Sequence, residues 1–170
     1  GISLAVPATF AAIILAEKIL TFVYGHDYAP GAIALKITIF QMLFIYTNLV
    51  FIHLLNISGN QRWYLFTVSS GAILNLILNF ILIPNLGVIG ASLSAVISEF
   101  LVLTISYLKT QTLVRVNIFP LFIKPIIASI AMSIFLILFI KLHILLLTVI
   151  GLAIYLAVLY LIKGISKEEF

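Results

Sequence analysis

The chain has 170 residues, of which 64% are hydrophobic and only 8% charged, and its mean hydropathy is +1.34. Soluble domains carry about a quarter charged residues, so apolar surface on this scale cannot be hidden in one water-soluble core of this size. The net charge of +4 is small, and the absence of cysteine excludes disulfides and thiolate metal sites.

A helix needs about 20 apolar residues to cross a bilayer, and the sequence predicts six such spans, an all-α polytopic integral membrane protein. The first covers about 1–24, with Pro7 inside it and Glu17-Lys18 near its far end. The break "YGHDYAPGA" follows, with Gly25, Pro30 and Gly31 as turn residues. The second span is about 33–57, closed by "SGNQR". From Trp63 to Ser98 no charge occurs, which is too long for one span. Pro84 and Gly87 are read as dividing it into a third span at about 63–83 and a fourth at about 88–108. The polar stretch "KTQTLVRVN" ends the fourth. The fifth (about 121–140) and sixth (about 143–162) are parted only by Lys141-Leu142-His143. The chain opens at Gly1 directly in an apolar run, without the basic start of a signal peptide, and closes on "KGISKEEF". It therefore reads as the C-terminal part of a longer protein.

Lys and Arg near span ends set orientation. Arg62, Lys109, Lys124, Arg115, Lys163 and Lys167 gather on one side, and Lys18, Lys36 and Lys141 on the other. The second and fourth connections and the C-terminus are accordingly expected in the cytoplasm, with "YGHDYAPG" and "PNLG" outside.

Polar residues inside greasy spans are the candidate functional groups. In the fourth span Ser92, Ala95, Glu99 and Ser106 share a narrow sector at 100° per residue. Glu99 lies near mid-span, where an ionisable residue is a functional candidate by default. It either carries a proton that moves in a transport cycle or serves as hydrogen-bonding glue between helices. Gly71, Asn75 and Asn79 form one stripe of the third span, and their amides either bond to a neighbouring helix or bind sugar hydroxyls in a cavity. The second span presents Thr38, Gln41 and Asn48 within a sector of about 80°. Lys36 and Lys18 sit near the outer side, reaching a phosphate or acidic sugar or snorkelling to the interface. Arg62 and Trp63 read as interface anchors, and Lys109 and Arg115 as interface anchors or as a cationic mouth for a pyrophosphate head group. His26, His53 and His143 lack a second ligand at metal spacing and read as structural, so no metal site and no cofactor are expected. The five acids, Glu17, Asp27, Glu99, Glu168 and Glu169, are scattered, and there is no phosphate-binding glycine loop. The expectation is a protein that is not an enzyme and has no nucleic-acid partner.

Two stretches, "ILTFVYGHDYAPGAIALKI" and "LLNISGNQRWYLFTVSSGAILNLILNFILIPNLGVIGASLSAVISEF", resemble the polysaccharide transporters and oligosaccharide flippases of the multidrug/oligosaccharidyl-lipid/polysaccharide exporter superfamily. Paired asparagines (Asn75, Asn79) precede a turn running Pro84, Gly87, Gly90 and Ala91 and then a small-residue helix. The resemblance covers roughly 19–108, and the last two helices are only generically similar.

The resemblance implies a two-lobed transporter that flips polyprenyl-pyrophosphate-linked oligosaccharide by alternating access for surface polysaccharide or lipopolysaccharide synthesis. Residues 1–108 would then be four helices of the C-terminal lobe, 109–120 a cytoplasmic connection, 121–162 two terminal helices and 163–170 a cytoplasmic tail. The implied partners are the lipid-linked oligosaccharide, the bilayer of the cell inner (cytoplasmic) membrane and the missing N-terminal lobe. The cavity residues would be Glu99, Asn75, Asn79, Gln41, Asn48 and Lys36. Rival readings are a multidrug or other lipid exporter, a membrane glycan polymerase or acyltransferase, and a non-transporting scaffold.

Overall fold

A computed structural model describes residues 2–162, so the cationic and acidic tail residues Lys163, Lys167, Glu168 and Glu169 lie outside the described residues. The described chain is all-α: α1 (Ile2–Tyr24), α2 (Ala32–Ile57), α3 (Gln61–Leu86), α4 (Val88–Leu113), α5 (Phe119–Leu138) and α6 (Ile144–Leu161), with a 3-10 turn at His26–Gly31. All six helices are long and apolar enough to cross a membrane, the make-up of a polytopic membrane protein. Helix is the natural answer for such segments, because hydrocarbon offers the backbone no partner and a helix satisfies its N–H and C=O groups internally.

The helix breaks are mostly where the sequence places them, but one differs in kind. Pro84 does not end α3. It lies in the last turn, and the helix runs on to Leu86. A proline lacks its N–H and crowds the carbonyl four residues back, but beyond it the chain still bonds backwards, as the Gly87 amide does to the Ile83 carbonyl at 2.8 Å. The break is made by Gly87 alone, at φ 55° and ψ −130°, a conformation that a side chain would strain. It serves at once as the last cap of α3 and the first of α4. At the start of α5, Pro120 fits because the first turn has no intrahelical use for its N–H.

The chain forms two compact units. The first joins Gly1–Ala32 with Ile118–Phe170, so that α1 packs with α5 and α6 although more than eighty residues separate them. Its core is Leu15, Ala128, Met132, Leu136, Leu147, Tyr155 and Leu159. Helix α6 runs antiparallel to α1. At one end the Tyr155 hydroxyl donates to the Ser3 carbonyl, and at the other Lys18 Nζ donates to the Leu142 carbonyl at 2.9 Å. The first bond has a clear cause. Ser3 is four residues before Pro7, which has no N–H to give it, so the carbonyl is open to a partner from another helix. Gly151 brings α6 close to α5, since a Cβ there would sit 3.1 Å from Leu136 Cδ2.

The second unit is Ile33–Asn117, holding α2 to α4. Helices α3 and α4 form a close hairpin. A Cβ on Gly90 would run into the Leu82 carbonyl, and one on Gly71 into Val102 Cγ2. On α4 six of the seven buried positions recur every fourth residue, Gly90, Ser94, Ser98, Val102, Ser106 and Thr110, and the seventh is Ser92. That repeat of small groups lets two backbones approach, which is how helices associate where no hydrophobic force separates them from lipid.

Candidate functional site

Helix α2 lies parallel to α4 and is joined to it by side chains along its length. Thr38 Oγ1 donates to Ser92 Oγ at 2.9 Å, and Ser92 Oγ donates on to the Val88 carbonyl at 3.1 Å. Further along, the Phe44 and Phe100 rings are 5.5 Å apart, and the Phe51 and Tyr107 rings also 5.5 Å. Between these aromatic pairs the Asn48 amide and the Glu99 carboxyl face each other across the two helices.

Beside that pair, α2, α3 and α4 enclose a cleft of about 440 Å³. Its polar lining comes from Gln41, Asn48, Asn75, Ser98 and Glu99, set among Val68, Ala72, Ala95 and other small or apolar groups. Each polar group arrives for a local reason. Gln41 and Asn48 are seven residues apart, two turns of α2, and so share a face. Gly71, one turn before Asn75, takes up no room and leaves α4 close beside it.

The hydrogen bonding leaves acceptors and donors open. Asn48 is 3% exposed and its Oδ1 has no partner. Asn79 Nδ2 donates to Asn75 Oδ1 at 2.9 Å, and Asn79 Oδ1 is buried without a partner. The two amides of α3 therefore bond to each other, and their bond runs along α3 and not across to a neighbouring helix. Ser98 Oγ turns to the Ser94 carbonyl of its own helix at 2.7 Å and contributes little polarity to the cleft.

Of the residues singled out from the sequence, Gln41, Asn48, Asn75 and Glu99 line one cleft. Asn79 stands one turn away and touches it through Asn75. Lys36 is exposed and is not part of the lining. Lys18 is occupied with the Leu142 carbonyl. His143 accepts from the Leu145 amide at 3.3 Å and so caps the start of α6. His53 Nδ1 lies 2.6 Å from the Leu49 carbonyl. Among the described residues no three His, Cys, Asp or Glu side chains gather to hold a metal.

Sequence reasoning singled out Ser92 and Ser106 on α4 but passed over Ser98 and Thr110, which are equally deep. Their signal was the spacing of four from Gly90 onward. The arrangement offers one carboxyl and several amides in a recess within membrane-length helices. It is suited to holding hydroxyls or a proton, and it contains no nucleophile paired with a base.

Comparison with protein-family models, with curated proteins and with solved structures finds no match.

Proposed function

We propose that this chain belongs to a membrane transporter, and that it flips lipid-linked oligosaccharide across the cytoplasmic membrane as part of a two-lobed protein. The observation that carries the reading is the cleft of α2, α3 and α4. There Glu99, Asn48, Gln41 and Asn75 present polar groups inside helices apolar enough to cross a membrane. Amide and carboxyl groups pair well with sugar hydroxyls, and a recess walled by apolar groups on the same helices lets a polar cargo pass without meeting hydrocarbon. The likeness of the 19–108 stretch to the oligosaccharide flippases supports the same cargo. On this reading the protein is not an enzyme, and the second and fourth connections and the C-terminus face the cytoplasm, where the Lys and Arg bias puts them.

A drug or other-lipid exporter of the same superfamily would use the cleft equally well, so the test must name the cargo. The parent gene is deleted in its host and restored as wild type or as Glu99→Gln. Surface glycan and the lipid-linked oligosaccharide pool are then measured. The flippase reading predicts loss of surface glycan with accumulation of complete lipid-linked units. Glu99→Gln then restores less than wild type if the charge or proton of Glu99 is used, and fully if Glu99 only packs. An unchanged surface glycan and an unchanged pool contradict the oligosaccharide cargo.

A further inference from the structure

The end of the second unit where α3 starts and α4 stops carries a feature that the cleft does not use. Lys109 Nζ lies 4.7 Å from the centroid of the Trp63 ring. Next to it a hollow of about 250 Å³ is lined by Arg62, Trp63 and Phe66, with the Trp63 and Phe66 rings edge to face at 5.6 Å. Two cations from two different helices are thus gathered around one indole. A ring attracts a cation but does not neutralise it. Among the described residues of this unit no carboxylate does so either. Glu99 is the only acid in residues 33–117, and it lies ten residues up α4 from Lys109, about 15 Å along the axis. The first turn of α3 carries no acid as well.

We infer that Arg62 and Lys109, set around Trp63, form a binding site for the phosphate of an anionic phospholipid in the leaflet at the α2–α3 connection. The chemistry favours a lipid over a free phosphate. Trp63 is 42% exposed at the end of a membrane-length helix, the depth at which indole rings meet head groups. The hollow is lined by Arg62 together with Trp63 and Phe66, whose rings suit the ester and first methylenes of an acyl chain. Arg62 supplies a planar fork for two phosphate oxygens, and Lys109, steadied by the ring, supplies a point charge. The site is independent of the cargo of the cleft and stands or falls without it.

Trp63 is the only tryptophan of the chain and so reports on its own surroundings. The chain is reconstituted in vesicles in which either phosphatidylglycerol or phosphatidylcholine carries bromine on its upper acyl carbons, and quenching of Trp63 is titrated. The expected result is tighter association of the brominated phosphatidylglycerol. Removing the cations should weaken that preference roughly fivefold for each one lost, so Arg62→Gln with Lys109→Gln should abolish it. Lys36→Gln, an equal charge change on another helix, should leave it intact, and helicity by circular dichroism checks that each variant folds. Equal quenching by the two lipids overturns the site. So does a preference that survives the double variant, or one that is lost as readily with Lys36→Gln. Displacement of the brominated phosphatidylglycerol by millimolar inorganic phosphate would assign the cations to a free phosphate instead and overturn the lipid.

Discussion

Single residues in this protein are governed by what hydrocarbon cannot supply. Pro7 withholds an N–H from the Ser3 carbonyl, and Tyr155 of α6 provides the hydrogen in its place. Tyr155 is fully buried, so the bond is made where no water competes. Tyr155→Phe should therefore destabilise the α1, α5 and α6 unit by about 1 kcal/mol, the range for one hydrogen bond between membrane helices. With Pro7→Ala the backbone N–H at position 7 closes the Ser3 carbonyl within α1. In that background Tyr155→Phe should cost close to nothing. A cost equal in both backgrounds, measured by denaturant titration in detergent, would show that the tyrosine acts through packing alone. The pair could not be read from the sequence. Pro7 was visible as a helix irregularity and Tyr155 as one more aromatic, but about 150 residues separate them. Glu99, Asn48, Gln41 and Asn75, by contrast, were visible at once, because a polar side chain in an apolar span has few reasons to be there.

Helices α3 and α4 show how element-scale fit depends on the groups that are absent. A methyl added at Gly90 meets backbone, the Leu82 carbonyl, which cannot turn aside. A methyl added at Gly71 meets the Val102 side chain. Replacing glycine by alanine inside a helix also gains about 1 kcal/mol of helix propensity. Gly71→Ala should then come out near neutral, the propensity gain offsetting the strain of a displaced valine rotamer. Gly90→Ala should be destabilising by about 1–3 kcal/mol, because two backbones must part. The two alanine variants unfolding at the same denaturant concentration would contradict this account of the hairpin. The spans themselves were legible from hydropathy, and most of their boundaries match the helices closely. Two do not: α4 runs on to Leu113 through polar residues that were read as its end, and Pro84 looked like a helix end and is not, since only the last turn lies beyond it. Gly87, one residue of positive φ, suffices for the reversal. The period of four on α4 was equally present in the sequence but is easily lost among the leucines and isoleucines between its members.

At the scale of the molecule the order along the chain and the order in space part company. Helix α1 belongs with α5 and α6, and α2 to α4 form a unit of their own. Hydropathy marks each span without naming its neighbours, so this grouping was out of reach of the sequence pattern. The functional account rests on the second unit, whose central claim is that the polar face of α2, α3 and α4 lines a water-filled recess within the membrane. The chain has no cysteine, so single thiols can be placed in it without background. Gln41→Cys and Asn75→Cys place one on the cleft wall, and Phe80→Cys places one at a side chain that is 75% exposed on the apolar outside of α3. Asp27→Cys and Ser58→Cys lie in the first and second connections, which the proposed orientation puts outside and in the cytoplasm. The most direct measurement is the rate at which a membrane-impermeant maleimide labels these five variants in sealed membranes, with the reagent on one side at a time. The account predicts that Asp27→Cys reacts from outside and Ser58→Cys from the cytoplasm. It predicts that Gln41→Cys and Asn75→Cys react from at least one side and that Phe80→Cys reacts from neither. Cleft thiols as inert as the one at position 80 would mean that the amides and Glu99 only hold helices together, and the transport reading would lose its foundation.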